Sequence, residues 1–175
     1  MDVISGEPYP HLDARVRLIK MPGLNVFETG LGSIRLHHLS SYANIVEWLS
    51  RLTGGFAEPY AFGRRVNAYL KKHGGEYDLI HDNQCLSYGM LAIQKRLPLV
   101  TTLHHPITRD LAIAVGACDK WWERLLIRRW HSFLGMQAKV VKALKHVVTV
   151  SSQSKHDIAK AFAVRPIKTT SLALC

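Results

Sequence analysis

Short β-branched apolar runs alternate along this chain with longer stretches of helical period. A pattern of this kind folds as a parallel sheet covered by helices, because parallel strands need helical crossovers and are buried by them. Compact runs at residues 77–81 (YDLIH), 97–103 (LPLVTTL) and 146–151 (HVVTVS) are the clearest strands, joined by 2–5 and 15–21 and, more weakly, 167–174. Helical patterns fill residues 42–52, 62–72, 86–96 and 157–163, with Ser154 expected to cap the last through a Ser-x-x-Asp box. Thr53-Gly54-Gly55 and Pro59 are expected to separate the first two, and Pro98 to stop the third. The expected fold class is α/β, a Rossmann-like parallel sheet with helices on both faces, in one domain spanning residues 1–175.

Composition narrows the function classes. With 47% hydrophobic and 21% charged residues, the chain has the makeup of a globular domain and not of a disordered or collagen-like one. The longest apolar run, residues 111–118, is too short to span a bilayer. The first residues carry neither a basic nor an apolar leader segment, so the expected location is the cytoplasm. Cys85, Cys118 and Cys175 form no metal or redox spacing and are read as reduced thiols.

The charge is uneven. Residues 119–175 hold 11 Lys/Arg against 3 Asp/Glu, most of a net +10. Much of that excess lies in the longest helical pattern, residues 120–145, where Trp122, Leu126, Trp130, Phe133, Val140 and Leu144 form an apolar stripe. Arg124, Arg128, Lys139 and Lys142 form a basic one. Gly135 is a place for a kink or for two helices to meet. A solvated face on a core helix is the plain reading. The functional alternative is attachment to an anionic membrane, placing the protein peripherally on the inner face of the plasma membrane. No nucleic-acid-reading module accompanies the charge, so nucleic acid is not an expected partner.

Polar clusters follow two strands, where parallel α/β sheets bind their ligands. His104 and His105 end the strand at 97–103; His81, Asp82 and Asn83 end the one at 77–81. Imidazoles there can hold a sugar hydroxyl or a phosphate. Capping of strand and helix ends is the structural alternative. No Gly-x-Ser-x-Gly elbow, zinc spacing or complete dinucleotide fingerprint is present; Gly30-Leu31-Gly32 reads as an ordinary loop.

Taken in order, YDLIHDNQCLSYG (77–89), LPLVTTLHHP (97–106) and VVTVSSQSKHDI (147–158) resemble the N-terminal domain of family-4 retaining glycosyltransferases, which have the two-domain GT-B fold. The resemblance covers roughly residues 2–167. It implies an acceptor-side domain, a nucleotide-sugar donor bound mainly by a C-terminal domain absent here, and no cofactor or required metal. His104 matches the histidine that faces the sugar and is the catalytic candidate; Ser151 matches a serine ending a later strand. His81, Asp82, Asn83 and His105 become candidate acceptor contacts. The expected activity is hexosyl transfer to an acceptor, a lipid-linked one among the candidates. Family members open with an additional strand, Gly-rich loop and helix, so the chain reads as a fragment at both ends, inactive alone. The competing reading is a non-catalytic domain attached to anionic membrane or polyphosphate through residues 120–145.

Overall fold

The computed structural model describes residues 1–25, 30–163 and 169–171. Among them, six parallel strands form two sheets. β1 (Asp2–Ser5) pairs with β2 (Arg17–Lys20). β3 (Ile80–Asn83), β4 (Leu99–Thr102), β5 (Val147–Thr149) and β6 (Thr169–Ser171) make a second sheet in that order. The helices between them are α1 (Tyr42–Leu52), α2 (Glu58–His73), α3 (Tyr88–Ile93), α4 (Thr108–Gly116), α5 (Trp121–Trp130), α6 (Leu134–Ala143) and α7 (Ser152–Phe162). The α/β class with parallel strands is therefore the observed one.

Register decides what each face of the larger sheet carries. Asp82 lies beside Thr101, which lies beside Val147, so the three share one face. All three are buried, as are Leu99 and Thr149. Leu86, Ile93, Leu103, Val140, Leu144 and Ile158 close the core against this face, and each contributes about 2 kcal/mol by leaving water. His81 and Asn83 point the other way and are exposed.

α2 and α3 cross in close contact because both present glycine there. A Cβ on Gly63 would lie 1.6 Å from the Ser87 hydroxyl, and one on Gly89 would lie 2.1 Å from the Gly63 carbonyl oxygen. This crossing fixes the start of α3, hence the β3–α3 loop. The two sheets are tied by Tyr77, whose hydroxyl donates to the Asp2 carboxylate at 2.9 Å; Arg17 pairs with the same carboxylate.

Several boundaries differ from expectation. β3 starts three residues later than the apolar run at 77–81, because Tyr77 is spent on Asp2 and Leu79 faces solvent. Pro59 does not break α2; it occupies the first turn, where its missing N–H costs nothing. α7 is capped by Ser151, whose Oγ accepts from the Ser154 N–H at 3.0 Å, three residues before the expected cap at Ser154. α4 was not expected at all. Residues 120–145 form two helices, as the Gly135 alternative allowed, but they meet at a 3-10 turn, His131–Phe133, and Gly135 falls in the first turn of α6. The expected apolar stripe is split accordingly, with Val140 and Leu144 in the core and Trp122 and Leu126 exposed. Of the expected strand at 167–174, residues 169–171 pair with β5; the remainder, like Cys175, lies outside the described residues.

Candidate functional site

β3 and β4 end side by side, and their exposed polar residues meet there. His104 Nε2 lies 2.7 Å from the Asn83 side-chain oxygen. An amide oxygen can only accept, so Nε2 carries the proton in this pair, and in the neutral ring Nδ1 is then the acceptor. His81 Nε2 shares a hydrogen bond with the Thr102 hydroxyl at 2.7 Å. His81, Asn83, Thr102 and His104 are thus gathered at the carboxyl ends of two parallel strands.

Gln84 organises the backbone of this cluster. Its Oε1 accepts from the His104 N–H at 2.7 Å and its Nε2 donates to the His105 carbonyl at 3.1 Å. To reach both, Gln84 sits at φ 62°, and Leu86 beyond it at φ 52°. Left-handed backbone at residues with a Cβ costs on the order of 1 kcal/mol each and persists where surrounding contacts over-determine it. Gln84 was absent from the expected site residues. Its only sequence signal was membership of a four-residue polar run.

Asp82 stands apart from its neighbours. It lies on the buried face, where its carboxylate accepts from the Cys85 N–H at 3.1 Å and the Leu86 N–H at 3.4 Å. Burial raises its pKa above the ordinary carboxylate value, against the opposing pull of those two N–H groups. Its observed work is to hold the strained loop. Cys85 beside it is half-buried, and desolvation first, then the Asp82 charge, pushes its thiol up to about 12, which favours the protonated thiol near neutral pH.

The side chains of the other expected residues make contacts outside the His81–Asn83–Thr102–His104 group. His105 is largely exposed and lies 3.6 Å from the Asp110 carboxylate. Ser151 uses its hydroxyl on the α7 cap and on Ser154. Arg124 and Arg128 lie on α5, whereas Lys139 and Lys142 lie on α6, whose opposite face is in the core. Among the described residues, no group of three His, Cys, Asp or Glu side chains could hold a metal ion.

Away from this cluster, a concavity of about 320 Å³ opens at the carboxyl ends of β1 and β2 and is lined by Glu7, Met21, Glu47, Glu58, Phe62 and Arg65. Arg65 pairs with Glu47 at 2.6 Å, both nearly buried, and Glu47 also accepts from the Leu24 N–H. Glu58 is raised from the ordinary value by burial and then by the Glu47 charge, with Arg65 pulling the other way. These residues were also missed, since in the sequence they are ordinary charged positions on amphipathic helices.

Parallel strands, helical crossovers and polar groups collected at the strand carboxyl ends define a parallel α/β domain, an architecture whose ligands bind at that end of the sheet. Residues 11–171 match the model of Glycosyltransferase Family 4, and the chain belongs to that family. It is also 42% identical over 170 residues to an MMP alpha-(1->4)-mannosyltransferase of Mycolicibacterium hassiacum. That alignment takes in 95% of this chain and 41% of the relative, so the chain spans less than half the relative's length.

Proposed function

We propose that this chain is the acceptor-side domain of a retaining glycosyltransferase that moves a hexose, mannose by likeness to the relative, from a nucleotide-sugar donor to an acceptor. The observation that carries the reading is the pairing of His104 with Asn83 at the ends of β4 and β3, in a family-4 chain. In such a transfer the bond from the sugar's anomeric carbon to the donor phosphate breaks. A bond to the acceptor oxygen forms, and the acceptor proton passes to the departing phosphate oxygen. His104 and Asn83 suit the task of holding sugar hydroxyls during that exchange. Asn83 fixes the ring and Gln84 fixes the backbone, so little reorganisation remains when substrate arrives. The donor diphosphate would be held by a second domain joined to this one.

The experiment is a titration of isotope-labelled chain with an α-(1→4)-linked oligomannoside. Saturable amide shifts concentrated at Asn83, Gln84, His104 and His105 are expected. Shifts that never saturate, or that cluster away from β3 and β4, would overturn the acceptor assignment.

A further inference from the structure

α4 and α5 form a helical hairpin in which no residue is fully buried, although both are rich in apolar side chains. Trp121 is 72% exposed and Ile113 65%; Trp122, Leu125 and Leu126 are also well exposed. At 3.6 residues per turn, Trp121, Leu125, Trp122 and Leu126 occupy a continuous sector of roughly 140° on α5, and Arg124 and Arg128 flank its Trp121 edge. The far end of the helix is anchored. Trp130 stacks on Phe56 at 5.0 Å, and Arg129 donates to the Thr53 hydroxyl at 2.6 Å. A helix held at one end and presenting tryptophans beside arginines at the other has the chemistry of an interfacial anchor, in which indoles settle at headgroup depth and cations meet lipid phosphates.

We propose that the α4–α5 hairpin docks this domain onto an anionic lipid surface through Ile113, Trp121, Trp122 and Leu125, with Lys120, Arg124 and Arg128 meeting the headgroups. Charge argues for lipid over a second copy of the chain. A two-fold contact through this patch would bring Arg124 and Arg128 of both copies together on a protein of net charge +10, whereas an anionic bilayer complements them. Position supports it too. The hairpin leaves the sheet four residues after His104, at the carboxyl end of β4, so it is tethered to the end of the sheet that carries the polar cluster. The proposal does not depend on the transfer reaction, because the surface would bind lipid whatever the cluster does.

The test is co-sedimentation of the purified chain with phosphatidylcholine vesicles with and without about 30 mol% phosphatidylglycerol, at low and at raised salt. Binding to the anionic vesicles, weak binding to the neutral ones and a decline with salt are expected. Trp121→Ala with Trp122→Ala, and separately Arg124→Glu with Arg128→Glu, should each weaken binding by at least about tenfold, with unchanged circular dichroism and urea midpoint. Equal binding to neutral vesicles, no vesicle binding, or full binding by either variant would overturn the proposal. So would dimerisation that the tryptophan variant abolishes in a chain that ignores vesicles.

Discussion

Gln84 grips the chain on both sides of the His104–His105 peptide, accepting from the His104 N–H at 2.7 Å and donating to the His105 carbonyl at 3.1 Å. One side chain from the end of β3 therefore sets where β4 delivers its histidines. The grip requires left-handed backbone at Gln84, so substitutions there separate two effects that usually travel together.

Gln84→Ala removes both hydrogen bonds and keeps the strained backbone; Gln84→Gly removes the same bonds and relieves the strain. A loss of about 1–2 kcal/mol is expected for alanine, with glycine about 1 kcal/mol more stable than alanine. Urea denaturation of the two variants measures the difference. Equal stabilities would mean that the loop relaxes out of the left-handed region.

The Arg65–Glu47 pair should behave as a buried ion pair. With side chains only 14% and 10% exposed, removing Arg65 leaves a carboxylate stranded beside Glu58. Arg65→Ala is expected to cost about 3 kcal/mol or more, and Arg65→Met with Glu47→Leu distinctly less than the two single losses combined. A double-mutant cycle by thermal or urea unfolding reads the coupling.

Gly63→Ala should cost at least about 1–3 kcal/mol, because the added methyl group meets Ser87 before anything can yield. Introducing Ser87→Gly in the same chain removes the atom it strikes and should recover part of the loss. Failure of this rescue would place the strain elsewhere in the α2–α3 crossing.

Asp2 gives the acid limb of stability a defined sign. Hydrogen bonds from Arg17, then from Tyr77, hold its carboxyl below the ordinary range. Its folded pKa is thus lower than its unfolded one, near 4, so its contribution is present above about pH 4 and fades as pH falls through the folded value. Asp2→Asn should be less stable than the parent at pH 7, and the gap should narrow below pH 4. A gap constant with pH would remove Asp2 from that role.

What the sequence made legible follows from which interactions are local. α1 runs over the expected residues because Ser41, which caps it, and Thr53-Gly54, which ends it, act within a few residues of the chain. The strands were found as apolar runs, but their limits were not, since Tyr77 is drawn to Asp2, 75 residues away. His81, Asn83 and His104 were visible as polar residues at strand ends. That Asp82 turns inward follows from strand alternation and the burial of one sheet face, which only the packed structure shows. Gln84 and the Glu47–Arg65 pair were not legible, because their importance lies in partners 20 and 18 residues distant. Of the α4–α5 hairpin, only α5 lay within the helical pattern at 120–145; α4 carried no helical signal that the sequence reading used.

The central claim is that His104 contacts the sugar acceptor during transfer. Its most direct test is His104→Ala in a protein that joins this chain to a family-4 donor domain, assayed for mannosyl transfer alongside thermal unfolding. Since His104 is exposed, stability should change by less than about 1 kcal/mol while turnover falls by about 10²-fold. Undiminished turnover in a folded variant would contradict the claim and leave His104 as no more than the end of a strand.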